Sequence, residues 1–398
     1  MIPALRDAFN ASFRQERYLA MLDDLNRAVA CPADFRISET PLFLSEDLTR
    51  RLLEACDQVL DQVASEPVMA RSGEAIPPGW KAPNQDPHPQ FLQVDFAVCQ
   101  DESGAFVPRL VELQGFPSVY CFQALVEGRY RRHYGISPEL TAYFGGLDTS
   151  AYLGLLRRVV VGDCDPENVV LVDLEPGRQK TRIDFACTES MLGVRSVCLS
   201  ELVKRGRKLH YLRDGREIPV ERIFNRIVAD ELDRRGFQYR FRLTDDLDVT
   251  WLCHPNWYFA ISKFTLPFLS GTHVPETHFV HELPSWPEDL SEYVLKPLFS
   301  FAGSGVVLDV TSELLDALPD PQHYILQRKV DYAPLVRTPD GFARAEVRMM
   351  FLWTDRPRPV VNLVRMSKGR MMGVDFNTEA TWVGTSIGFH PVTVTPGR

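Results

Sequence analysis

Apolar residues recur along this chain with two periods, and the places where the period changes mark its elements. In residues 4 to 29 and 45 to 64 the spacing is helical. The second stretch repeats Leu48, Leu52, Leu53, Cys56, Val59, Leu60 and Val63 on one face, with Ser45 placed as its N-cap. Residues 67 to 90 carry Pro67, Pro77, Pro78, Pro83, Pro87 and Pro89, which predicts a loop or lid. From residue 91 the period becomes two. Residues 91 to 99 alternate, Asp101-Glu-Ser-Gly104 turns, and 105 to 113 return as a hairpin. Gly115-Phe-Pro-Ser118 then starts a helix to about 132, with Ser118 as its cap.

The middle of the chain reads as a β-α-β unit: a buried strand over 168 to 174, a helix over 179 to 192 and a strand over 196 to 199. A second hairpin is predicted over 209 to 227 around Asp214-Gly215. Asn256 is placed to cap a helix over 257 to 269. Strands are expected at 274 to 280, 293 to 295, 306 to 308, 324 to 330, 341 to 353, 359 to 366 and 371 to 377.

Several strand positions that periodicity reserves for apolar residues hold charges instead. Asp95 lies on the first strand of the front hairpin, and Glu112 lies on the second, two residues before Gln114. Period-two geometry puts Glu112 and Gln114 on one face, and a hairpin brings Asp95 beside them. Oxygen ligands of this kind suit Mg²⁺, which takes one or two carboxylates plus substrate phosphates. A solvated hairpin face is the bland alternative. Asp375 and Asn377 form a rival pair of oxygen ligands near the C-terminal end.

Around residues 293 to 306 the run Tyr-Val-Leu delivers Lys296, Pro297 stops regular pairing, and a loop of small residues, Ser300 to Gly305, follows. A cation facing a glycine loop suits a nucleotide's phosphates, and a plain β-hairpin carrying a lysine is the equal alternative for this stretch alone. Farther on, Glu346, Arg348 and Arg365 sit on predicted strands, and basic side chains along one sheet face suit a triphosphate. Asn225 and Arg226, at the end of the second hairpin, could hold a substrate carboxylate, although taken alone Arg226 reads first as a surface arginine. His278 and His281 tempt a zinc reading, but no third ligand accompanies them and the segment alternates like a strand. Competing nucleotide and hydrolase motifs are absent. Gly303-Ser-Gly305 is not Gly-x-Gly-x-x-Gly, and neither Gly-x-x-x-x-Gly-Lys nor Gly-x-Ser-x-Gly occurs.

Composition narrows the partners. The 398 residues are 45% apolar and 24% charged, as in ordinary globular proteins, and long enough for two or three packed units. The net charge of -9 argues against nucleic acid or an anionic membrane as the main partner, while leaving room for a small anion in a basic cleft. No apolar run approaches the roughly 20 residues of a membrane span. The first residues lack a signal-peptide core. The eight cysteines are scattered with no Cys-x-x-Cys pair. They read as reduced thiols, and the expected compartment is the cytoplasm.

In order, Lys263, Val274-Pro-Glu-Thr277, Val294-Leu-Lys296-Pro, the small-residue loop and the Leu326-Gln327 hinge resemble the ATP-grasp superfamily. The strands that usually follow, bearing an acid and a Glu-x-Asn, stand instead at the front as Val94-Asp95-Phe96 and Val111-Glu112-Leu113-Gln114. That is the circularly permuted order, similar to the glutathionylspermidine synthetase type, with Gln114 where Asn is usual. The resemblance covers roughly residues 91 to 390.

It implies an α+β ATP-grasp fold with antiparallel sheets around a nucleotide cleft, preceded by an N-terminal helical segment, 1–90. The permuted metal-binding hairpin and its helix would occupy 91–150, an α/β substrate-side domain 151–255, and the lysine, glycine-loop and C-terminal sheet region 256–398. The implied activity is an ATP-dependent carboxylate–amine ligase working through an acylphosphate, on small-molecule acid and amine substrates. ATP would be held by Lys263, Lys296, Ser300, Gly303, Ser304, Gly305, Gln327, Arg328, Lys329 and Asn377. Mg²⁺ would sit on Asp95, Glu112 and Gln114, with Arg348 and Arg365 acting on the moving phosphoryl group. The alternatives are a nucleotide-binding module without ligase activity and a phosphotransferase.

Overall fold

The computed structural model describes residues 1–300, 303–372 and 380–394. At its centre is a six-stranded sheet. Its order runs Gly384–Ser386, Pro357–Ser367, Gly341–Trp353, Phe91–Gln100, Phe106–Gln114, with Val336–Thr338 paired to the start of the long strand. The front hairpin therefore adds directly, and antiparallel, to the C-terminal strands.

Alternation explains the sheet's two faces. Val94, Phe96 and Val98 of the first strand, with Ala345, Val347 and Met349 of the long one, face helix Glu46–Val63 and form a buried apolar layer. Ser45 does cap that helix, accepting a hydrogen bond from the Leu48 amide at 3.3 Å. The opposite face carries Gln93, Asp95, Glu346 and Arg348, all buried.

A three-stranded antiparallel sheet, Thr277–Phe279, Tyr324–Arg328, Tyr293–Pro297, stands against the polar face. The β-α-β reading holds: Val169–Asp173 and Arg195–Cys198 pair in parallel and are joined through helix Arg182–Leu192. Arg222–Asn225 and Thr250–Leu252 extend that sheet in parallel.

The N-terminal helices are not an appendage. Pro3–Ser12 and Gln15–Ala28 share a core with helix Tyr120–Tyr134, and Leu42–Phe43 pairs in parallel with Gly388–Pro391. Among the described residues no helix is long and apolar enough to cross a membrane.

Local expectations shift in six places. The first helix is broken at Phe13 and Arg14, which are extended. The proline-rich stretch contains a helix, Glu66–Ser72, because Pro67 in the first turn gives up no helical hydrogen bond. Helix Tyr120–Tyr134 is entered through Val119 in the left-handed region, φ 57°, so Ser118 is not its cap. The second hairpin ends at Val220, and Arg222–Asn225 leaves it for the parallel sheet. The helix expected over 257 to 269 is two pieces, Trp257–Ala260 and a 3₁₀ stretch, Lys263–Phe268. Ser262 caps the second piece, Pro267 removes a donor from it, and the Asn256 side chain bonds Ala82 and Gln85 instead of capping. Residues 306 to 308 contribute one bridge, Val307 to Leu295, rather than a strand.

Candidate functional site

The polar face of the central sheet concentrates charge by register alone. Asp95 lies across from Glu112 on one side and from Arg348 on the other, and Glu346 lies across from Arg365. The result is a buried ion network. Arg348 grips Asp95 bidentately, Nε to Oδ1 at 2.6 Å and Nη2 to Oδ2 at 2.7 Å, and its Nη1 donates to Gln93 Oε1 at 2.8 Å. Arg365 adds a second cation on Asp95 Oδ2 and pairs with Glu346 at 2.5 Å. Tyr332 donates its hydroxyl to Glu346 at 2.7 Å. Burial pushes the Asp95 carboxyl up, but the two guanidiniums outweigh burial and hold it below its ordinary value. For Glu346 burial prevails over Arg365, and its carboxyl is raised.

The facing wall comes from the lysine elements. Lys296 and Gln327 lie on neighbouring strands with side chains on one face, and Lys296 Nζ donates to Gln327 Oε1 at 2.5 Å and to the Val111 carbonyl at 3.0 Å. Burial, only partly offset by Glu112, brings the Lys296 ammonium down to about 8. Lys263, at the start of its 3₁₀ stretch, reaches the Ser300 carbonyl at 2.5 Å and lies 3.5 Å from Glu112 Oε2. What brings it there is a close approach: Gly115 donates to the Ile261 carbonyl at 2.8 Å, and a Cβ at Gly115 would lie 3.0 Å from that of Ile261. Beyond Lys296 the chain turns back over Pro297. Gly305 adopts φ 72°, and a Cβ there would lie 2.8 Å from Pro297 Cγ, so the loop folds down only with glycine.

Between these walls is a cavity of about 430 Å³. Lys263, Lys296, Arg344, Arg365 and Arg370 line it with Glu112 and Glu346, and Val294, Val306, Leu308 and Met372 give it an apolar side. Lys263, Glu112, Gln114 and Ser300 also line a water-sized recess of about 20 Å³. Three buried polar atoms here, Gln327 Nε2, Ser300 Oγ and Arg365 Nε, have no hydrogen-bond partner among the described residues. Such atoms are costly unless something binds them, and all three can donate to an acceptor-rich ligand. A small molecule with an anionic end and an apolar body matches this arrangement.

Of the anticipated residues, the structure brings Lys263, Lys296, Gly303, Gln327, Arg328, Lys329, Glu112 and Arg365 to the cavity wall. Arg328 and Lys329 direct their side-chain cations to Asp289 and the Ser291 carbonyl. Gln114 and Ser300 line the recess. Ser304 and Gly305 belong to the loop but not to the lining, and both are exposed. Arg348 and Asp95 lie behind the wall, engaged with each other. Asn377 falls outside the described residues. Asn225 and Arg226 are not in the cavity: Arg226 is buried against Asp184 at 3.1 Å, and Asn225 donates to the Cys253 carbonyl at 3.0 Å.

Sequence reasoning missed Arg344, Arg370 and Tyr332. Arg344 was within reach, since it shares a strand face with Glu346 and Arg348. Arg370 lies in an irregular turn that carries no periodicity.

Of the anticipated Mg²⁺ donors, Glu112 lines both the cavity and the recess, Gln114 lines the recess, and Asp95 is engaged behind the wall. Among the described residues no cluster of three or more acids, histidines or cysteines could hold a metal ion. Both Asp95 oxygens already face guanidinium groups, and Glu112 is the hairpin carboxylate that remains on the wall.

No protein-family profile matches the chain, and no curated protein sequence matches it. Among solved structures it is similar to a glutathione synthetase-like effector from Globodera pallida in its apo form. The two are 12% identical with a TM-score of 0.58 over 94% of this chain and 96% of that one. At that identity the likeness speaks for the fold alone: the chain has a mixed α+β fold similar to that of the glutathione synthetase-like effector.

Proposed function

We propose that this chain is an ATP-dependent carboxylate–amine ligase of circularly permuted ATP-grasp type. The observation that carries the reading is the convergence of Lys263, Lys296, Arg344, Arg365 and Arg370, from separate elements, on one cavity with unpartnered buried donors. Pairing of the front hairpin with strand Gly341–Trp353 supports the permuted order, because it places Glu112 beside Lys263.

In this reading the nucleotide's base lies along residues 327–330 and its phosphates among the lysines and Arg365. The substrate carboxylate oxygen bonds the γ-phosphorus as the bond to the β-phosphate oxygen breaks, releasing ADP. An amine nitrogen then bonds the acyl carbon, phosphate leaves, and the amine's proton passes to solvent. The cavity presents no thiol or histidine nucleophile among its described lining residues, which suits chemistry that rests on positioning and charge. Lys263 and Lys296 neutralise the phosphates, and Arg365 faces the transferred group. No step is assigned to Mg²⁺.

A second reading, a nucleotide-binding module without ligase activity, draws support from the engagement of Asp95 by two arginines and from Gln114 in place of Asn. Phosphate release from ATP separates the two. A ligase releases phosphate and ADP only when both acid and amine are supplied. A module binds ATP without turnover, and a phosphotransferase forms ADP with no free phosphate.

A further inference from the structure

We infer that Asp95 is a positioning residue that holds Arg348 and Arg365 in place, and that a divalent cation arriving with a nucleotide meets Glu112, not Asp95. This rests on the nucleotide reading of the cavity and concerns how that site is built. Asp95 is 1% exposed, and its two oxygens are saturated by three charge-assisted hydrogen bonds from two guanidiniums. It lies outside the cavity lining, whereas the Glu112 side chain is 22% exposed and on the wall. Ligating a metal through Asp95 would take from the buried Arg348 its bidentate carboxylate and leave it the neutral Gln93 amide oxygen and Glu112 at 3.9 Å.

The network also has a direction. Asp95 and Glu346 both hold Arg365 at Nη2, which leaves its Nε buried and unpartnered in the cavity wall. Tyr332 fixes Glu346 in turn. Asp95 thus acts through Arg365: it sets the orientation of a cation that an anion in the cavity would meet.

The test is ATP affinity by calorimetry, measured with Mg²⁺ and again in excess EDTA, for wild type, Asp95→Asn and Glu112→Gln. The ratio of the two affinities reports the metal's contribution. Glu112→Gln should lower that ratio by about tenfold or more, as expected for loss of the carboxylate that meets the cation. Asp95→Asn should weaken ATP by a similar factor in both conditions and leave the ratio within about threefold of wild type. A collapsed ratio in Asp95→Asn, or an unchanged one in Glu112→Gln, overturns the inference while ATP binding itself stands. Wild type that binds no ATP in either condition overturns the nucleotide reading and the inference with it. Should Asp95→Asn fail to fold, a wild-type crystal with Mn²⁺ and a non-hydrolysable ATP analogue decides. The inference requires metal on Glu112 with Asp95 still on its arginines, and an Asp95 oxygen within about 2.2 Å of the metal overturns it.

Discussion

Lys296 is buried with two neutral acceptors directly on its ammonium, the Val111 carbonyl and Gln327 Oε1. Burial lowers it to about 8, so the group is charged below that pH and neutral above it. The unfolded chain, with an ordinary lysine, holds more protons from about pH 8 up to about 10, and this group's contribution to stability therefore rises with pH through that window. Anion binding runs the other way, because a phosphate favours the charged form. Above pH 8 ATP binding should draw a proton onto Lys296, read as a buffer-dependent binding enthalpy at about pH 8.5, and Lys296→Ala should lose both that uptake and most of the affinity. Wild-type binding with no proton uptake would contradict the role given to Lys296. The two arginines should separate by readout. Arg348→Met leaves Asp95 short of its bidentate partner and should destabilise the fold by about 3–5 kcal/mol in chemical denaturation. Arg365→Met should cut turnover more than ATP affinity, if its cation acts on charge that develops in the transition state. The reverse pattern would exchange their assignments.

At the scale of elements the front hairpin is the decisive piece. Its first strand is flanked on both sides, by Phe106–Gln114 and by Gly341–Trp353, so it is a central strand and not a lid. In native-state hydrogen exchange its amides from Val94 to Val98 should be as protected as those of Val347 to Phe351, and release together with them. Early release of the hairpin alone would mean a loosely docked element and an incomplete site. The hairpin was legible because period two holds along its first strand and on either side of a one-residue irregularity at Val111 in its second, and charges interrupt it at few positions. The lysine-bearing helix was not. Residues 257 to 269 are apolar nearly all round, so no face marks a break, and the 3₁₀ turn that carries Lys263 is set by Ser262, Pro267 and the contact with Gly115. Arg226 misled for a related reason: a polar residue at a strand end reads alike whether it meets a ligand or, as here, a buried aspartate from a helix distant in sequence.

For the whole molecule, the pairing of Asp95 with Arg348 and of Leu42–Phe43 with Gly388–Pro391 joins the two ends of the chain into one body. Periodicity predicts strands but not which strands meet, so this closure followed from the order of motifs, and the place of the N-terminal helices in it was not visible at all. The closure is what makes the cavity, since hairpin and lysine elements supply opposite walls. Photolabelling of the intact protein with 8-azido-ATP, followed by peptide mapping, tests this most directly. ATP-protected, saturable label should fall in peptides from residues 293 to 332, which carry Lys296, the glycine loop and the hinge. Saturable label confined to peptides outside that span, or none that ATP protects, would contradict the assignment of this cavity as the nucleotide site.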